Sequence, residues 1–325
     1  MEEKKRKPAE MTQAEKQKTQ TTGGYALTTE GLTKIYGELK AVNAVSIHVR
    51  QGDIYGLIGK NGAGKTTFMK MVAGLARPNA GRIELFGSGD LDRQRMRVGA
   101  LIEAPGLYKG MTAQENLEVA RRAYGITDRS RIEDTLCFMG LEDTGKKKVG
   151  NFSMGMKQRL GIAIALLRSP DLLILDEPIN GLDPQGIRQM RELLLKLNRE
   201  RNITMILSSH ILGELSKIAT AYGIIRDGEL AEEFNAAELA GRCRRCRKIV
   251  VNDTERAVHI LEEQLHITEF DVPETSVIRI FERLEDSAEM NRALLQAGID
   301  VKENYLAGQD LESFFLDLVE NRTTM

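Results

Sequence analysis

Residues 59–67 read GKNGAGKTT, a run that makes structural sense where a strand hands over to a helix. It fits G-x-x-x-x-G-K-[ST] at Gly59, Gly64, Lys65 and Thr66. A β-type run, IYGLIG, leads into it, and a helical run, KTTFMKMVAGL, leads out. Glycines let backbone wrap close to a phosphate, and the helix N-terminus adds N–H donors and a favourable dipole. In that setting Lys65 reaches the β- and γ-phosphates of a nucleotide, and the Thr66 hydroxyl ligates Mg²⁺. Asn61 and Gly62 belong to the same turn, and Thr67 is a further candidate for phosphate contact. Such a loop calls for an α/β, P-loop NTPase core on a parallel sheet.

The loop needs an acidic partner, and LLILDEP supplies one. The run is continuously apolar, as in strands buried on both faces of a parallel sheet. Asp176 at its end suits the Mg²⁺ shell, and Glu177 beside it suits a general base that polarises the attacking water. ITMILSSH is a second such run, so its terminal His210 is expected at the carboxyl edge of the sheet, where ligands bind. His48, His259 and His266 have no such setting and read as surface or packing residues.

A second anion-binding turn stands in NFSMGMKQRL. Ser153 and Gly155 precede a largely apolar helix, whose first backbone N–H groups have no partner within the helix. Taken alone, Ser153 is equally a plain N-cap.

Composition excludes several classes. With 46 basic and 47 acidic side chains, the 325-residue chain has no broad basic excess for nucleic acid. No apolar run approaches the roughly 20 residues that span a bilayer. Cys243 and Cys246 form a CxxC without the second half of a zinc site, and read as two small residues entering a strand.

Residues 1–24 are charged and Gln/Thr-rich, as in a disordered tail. Residues 25–232 alternate strand and helix signals, including AVSIHV and GRIELFG as strands, a helical insertion at about 105–150, and YGIIRDGEL as a hairpin turning on Asp-Gly. Residues 233–325 form a small α+β appendage, with KIVV and SVIRIF as strands. A terminal helical stripe runs through Leu311, Phe314, Phe315, Leu318 and Val319.

Over roughly residues 25–232 the motifs resemble, in order and spacing, the nucleotide-binding subunit of an ATP-binding cassette (ABC) transporter. NFSMG occupies the family's signature position, 23 residues ahead of Asp176. NGLDP matches the D-loop at Asp183, and His210 falls at the switch histidine. Tyr36, 29 residues before Lys65, matches the aromatic that stacks on adenine. The resemblance implies an ABC ATPase core with an antiparallel β subdomain and a helical subdomain, using ATP and Mg²⁺. It also implies that two such subunits, identical or paired, meet head to tail. Ser153 and the Gly155 backbone of one would then close on the γ-phosphate held by the other. A separate transmembrane permease and a cytoplasmic position at the inner face of the membrane follow from the same likeness; nucleic acid is not expected.

The rival is a soluble ABC ATPase acting on ribosomes or DNA. The single cassette, with about 110 residues between Lys65 and Asp176, leaves no room for the long coiled-coil arm of chromosome-type members. A P-loop GTPase would carry an NKxD guanine motif, which is absent.

Two departures from the family pattern narrow the expectation. The signature is Phe152, Ser153, Met154, Gly155, Met156 instead of Leu-Ser-Gly-Gly-Gln, which keeps Ser and the second Gly but loses the Gln. Glu103, 38 residues after Lys65, stands where a Gln usually senses Mg²⁺ and water. A carboxylate accepts hydrogen bonds but does not donate, so Glu103 favours the metal side; a structural role is the alternative. ALIEAPGLY, SMGMKQRLGIA and the ending LESFFLDLVE are similar to exporters that give bacteria self-protection or resistance against bacitracin and lantibiotics.

Overall fold

The structure, a computed structural model, describes residues 24–209, 212–243, 245–307 and 314. They fall into two compact units, one of residues up to 55 with 66–207, the other of 56–65 with those from 208 on.

In the first unit, β1 (Tyr25–Tyr36) is flanked by β2 (Leu39–Val45) and β3 (His48–Arg50), all antiparallel. The expected single strand AVSIHV is therefore split. Ala44 turns into left-handed backbone, φ 51°. Buried Thr29 fills the gap: its hydroxyl donates to Val45 O and accepts from Ile47 N–H. β4 (Ile54–Ile58) carries the chain to the phosphate turn, and α1 (Lys65–Val72) follows it. β5 (Ala80–Leu85) adds antiparallel to β1, completing the expected antiparallel subdomain.

β6 (Val98–Leu101), β7 (Leu172–Leu175) and β8 (Thr204–Ser209) pair in parallel, and the first part of β4 lies beside β8, giving the order β4-β8-β7-β6. Every residue of β7 and β8 is buried, as the apolar runs Leu172–Leu175 and Met205–Leu207 require, and the polar Thr204, Ser208 and Ser209 are buried with them. Between β6 and β7 come α2 (Ala113–Ala123), started by a Thr112/Glu115 capping box, α3 (Ser130–Phe138) and the mostly buried α4 (Met154–Leu166). α5 (Pro184–Arg201) begins behind Asp183, whose carboxylate accepts from Gly186 N–H.

Arg95 secures the far end of α1: its guanidinium donates to Val72 O (3.1 Å) and Met71 O (3.0 Å), satisfying terminal helix carbonyls. Burial lowers its pKa, yet it stays charged. Arg95→Ala should cost about 1.5–3 kcal/mol, a fall in melting temperature of roughly 4–8 °C by differential scanning calorimetry. A shift under one degree would refute the cap.

In the second unit the last residues of β4 lie next to β9 (Ala221–Arg226), which pairs antiparallel with β10 (Glu229–Asn235). Asp227 and Gly228 turn the hairpin at φ 49° and 82°, as the Asp-Gly pair leads one to expect. The appendage then runs β11 (Cys246–Val251), α6 (Thr254–Leu265), β12 (Phe270–Glu274), β13 (Val277–Ile280), α7 (Ser287–Gln296) and β14 (Val301–Ala307). Its antiparallel order β12-β13-β11-β14 makes it a ferredoxin-like βαββαβ unit. Ile249, Val251, Leu261, Ile278, Ile280 and Leu294 fill its core. Cys246 opens β11, and burial raises its thiol pKa. The terminal stripe lies outside the described residues apart from Phe314, whose ring sits edge-on to Phe234, 6.1 Å between centroids.

Candidate functional site

The turn 59–65 is folded around its own lysine. Buried Lys65 donates from Nζ to the carbonyls of Gly59 (2.7 Å) and Lys60 (3.1 Å). A Cβ at Gly59 would collide with the carbonyl oxygen of Ile225 on β9. Gly64 stands at φ 109°, which a side chain rarely tolerates. Asn61 and Gly62 are exposed at the rim. The turn is therefore a concave strip of backbone with a cation at its centre, suited to an anionic phosphate chain.

Within the first unit, α1 presents Thr66 to the end of β7. The Thr66 hydroxyl donates to Asp176 Oδ2 at 2.8 Å, across 110 positions of sequence. Asp176 is buried, and its N–H donates to Leu101 O at 2.9 Å. Thr67, next on the helix, is half-buried.

Glu177 and Glu103 occupy matching positions. Leu101 and Leu175 are partners in the parallel register of β6 and β7, and each glutamate lies two residues beyond its leucine. Both have left-handed backbone, φ 64° at Glu103 and 50° at Glu177, a strained state for a non-glycine residue and one that recurs at functional sites. Glu177 has a buried Oε1. Glu103 is exposed, and its Oε1 accepts from Lys70 Nζ at 2.5 Å. The loop after Glu103 is held by Asn116, which accepts from Tyr108 N–H and donates to the carbonyls of Tyr108 and Thr112.

Ser153 caps α4, accepting from Met156 N–H. The side chains of this turn lie against the loop before Asp183: Met154 Cε is 3.8 Å from a Cβ built on Gly181, and Leu182 Cδ2 is 3.6 Å from one built on Gly155. Ser153 and Asp183 are both exposed. Tyr36 is half exposed at the end of β1, with Lys34 Nζ 5.0 Å from its ring centroid. His210 lies outside the described residues.

Thr66 and Asp176 fit a magnesium ion, which keeps several waters and takes one or two protein oxygens besides substrate phosphates. Among the described residues no three His, Cys, Asp or Glu side chains surround a point that could hold a metal. Such a cage is not what a phosphate-bound magnesium needs. Sequence reasoning did not find Lys70 or Asn116. Lys70 is one more polar residue on a helix, and only the packed fold brings Glu103 to it from 33 positions away.

The family model described as ABC transporter matches residues 42–180. The bacitracin transport ATP-binding protein BcrA of Bacillus licheniformis is 43% identical over 298 residues, 91% of this chain and 97% of that protein. The lantibiotic transport ATP-binding protein SrtF of Streptococcus pyogenes is 42% identical over 211 residues, 64% of this chain and 91% of SrtF. Among solved structures, a dimeric ATP-binding cassette in a post-hydrolysis state with ADP and Pi superposes with a TM-score of 0.59. It has 25% sequence identity, and the match covers 65% of this chain and 98% of that one.

Proposed function

Given that the chain belongs to the ABC transporter ATP-binding family and is an ATP-binding, ATP-hydrolysing transporter subunit, we propose that it powers a bacterial exporter for antimicrobial peptides of the bacitracin or lantibiotic type. The likeness to BcrA and SrtF over nearly the whole of either relative supports that substrate class. Among the described residues no helix is long and apolar enough to cross a membrane; in this reading the path belongs to a separate permease. The chain docks on it from the cytoplasmic side.

The observation that carries the reading is the Thr66–Asp176 hydrogen bond, because it joins the phosphate-loop helix to the acidic end of β7. In this reading Gly59–Lys65 and Thr67 cradle the triphosphate, and Thr66 and Asp176 would hold Mg²⁺, with Glu103 on the metal side. When bound, Mg²⁺ neutralises charge on the β- and γ-phosphates. Glu177 orients the attacking water and takes its proton as the bond between the γ-phosphorus and the bridging oxygen breaks, releasing ADP and phosphate. His210, at the switch-histidine position of the sequence, is assigned to the same catalytic set. Two subunits meet head to tail, and Ser153, Gly155 and Asp183 of each serve the nucleotide of the other. ATP favours closure because its γ-phosphate satisfies donors from both subunits, and hydrolysis removes that bridge.

Tyr36 stacks on adenine. Tyr36→Ala should weaken a fluorescent ATP analogue about 5- to 50-fold, a stacking contribution of roughly 1–3 kcal/mol, whereas Tyr36→Trp should bind normally. Equal affinity in the Ala variant would remove Tyr36 from the site.

The transport reading is tested by co-expression with the membrane protein encoded beside this gene, followed by detergent extraction. Co-purification, with cells gaining bacitracin or lantibiotic tolerance only when both are present, is the expected result. An ATPase that repeatedly extracts alone, or that sediments with ribosomes, would count against it.

A further inference from the structure

Thr66 and Lys70 are four residues apart on α1, so they share one face of the helix. That face meets the ends of two adjacent parallel strands: Thr66 bonds Asp176 just after β7, and Lys70 bonds Glu103 just after β6. The register pairs Leu101 with Leu175 at the ends of the two strands, Glu103 follows the one by two residues as Glu177 follows the other, and Asp176 N–H is bonded to Leu101 O. Three acidic residues thus follow the ends of two adjacent strands, at the edge where a nucleotide would bring several negative charges of its own. An ion pair as exposed as Lys70–Glu103 adds little to stability, so its consequence lies in where it holds charge.

We infer that Lys70 is a positioning residue: as counter-ion to Glu103, it keeps that carboxylate on the helix and so sets how strongly nucleotide binding depends on a divalent cation. This rests on the reading that the Thr66–Asp176 corner carries Mg²⁺ with ATP. Without the ammonium, the Glu103 carboxylate is released and one negative charge goes uncompensated. Metal-free ATP is then repelled more, and the divalent cation is drawn in more strongly.

The test uses the full-length protein and two binding readouts: affinity for a fluorescent ATP analogue in EDTA, and half-saturation by Mn²⁺, followed by its EPR signal, with ATP present. Lys70→Met should lower metal-free affinity about three- to tenfold and lower the Mn²⁺ half-point by a similar factor. Lys70→Arg should restore both. In a Glu103→Gln background Lys70→Met should change neither, since the group it acts through carries no charge. Equal shifts in both backgrounds, no shift in either, or no rescue by Arg would each overturn the inference. Lys70→Gln gives the same comparison if the Met variant does not fold. Should the unmodified protein bind ATP without any response to Mg²⁺ or Mn²⁺, the metal-site reading itself would fail, a result separate from these.

Discussion

Glu177→Gln stops ATP turnover and leaves ATP bound. The amide matches the carboxylate in size, so the left-handed backbone after β7 and the packing around the buried Oε1 persist. It cannot take a proton from water, and positioned general bases contribute about 10²- to 10⁴-fold. The expected kcat at saturating Mg²⁺-ATP therefore falls by that factor, or roughly 3–5 kcal/mol of barrier. ATP affinity should stay within about threefold of the unmodified protein, because the phosphate turn and Thr66–Asp176 are untouched. With hydrolysis blocked, the closed pair of subunits should accumulate, visible by light scattering as a dimer that forms with ATP and not with ADP. Phosphate release near the unmodified rate would show that Glu177 is not the base.

Lys65→Ala removes binding instead of chemistry. The Lys65 ammonium is buried inside a turn of seven residues, held by the carbonyls of Gly59 and Lys60. Its deletion takes away a charge-assisted contact to phosphate and leaves those carbonyls facing the incoming anion. Removing one partner of a buried charged contact costs about 2–4 kcal/mol, so ATP affinity should drop roughly 30- to 1000-fold. Lys65→Arg should not rescue, since a planar guanidinium does not fit a pocket formed around a compact ammonium. Isothermal titration with ATP measures both. A loss under threefold for the Ala variant would mean that the glycine backbone alone holds the phosphates.

Much of the fold was legible because its signals are local. The apolar runs LLIL and TMIL announce strands buried on both faces, and the Asp-Gly pair announces the hairpin between β9 and β10. The failures lie where the local pattern does not decide. AVSIHV alternates like one strand, but the buried Thr29 hydroxyl on β1 bonds on both sides of the break and divides it. β12 and β14 were not anticipated: as edge strands they carry Pro273 and a polar VKENYLA sequence, chosen for exposure and not for burial.

By itself, the order of residues determined the strand–glycine turn–helix of the phosphate loop, the acidic pair closing β7, and the capped start at Ser153. Each depends on groups within a few bonds of one another, so spacing alone specifies them. Only the tertiary structure decided that Leu101 pairs with Leu175, that Glu103 is held by Lys70, and that Thr66 reaches Asp176. Those meetings depend on which backbone N–H of one strand finds which carbonyl of another. The packed sheet settles that choice collectively, and no short stretch of chain contains it.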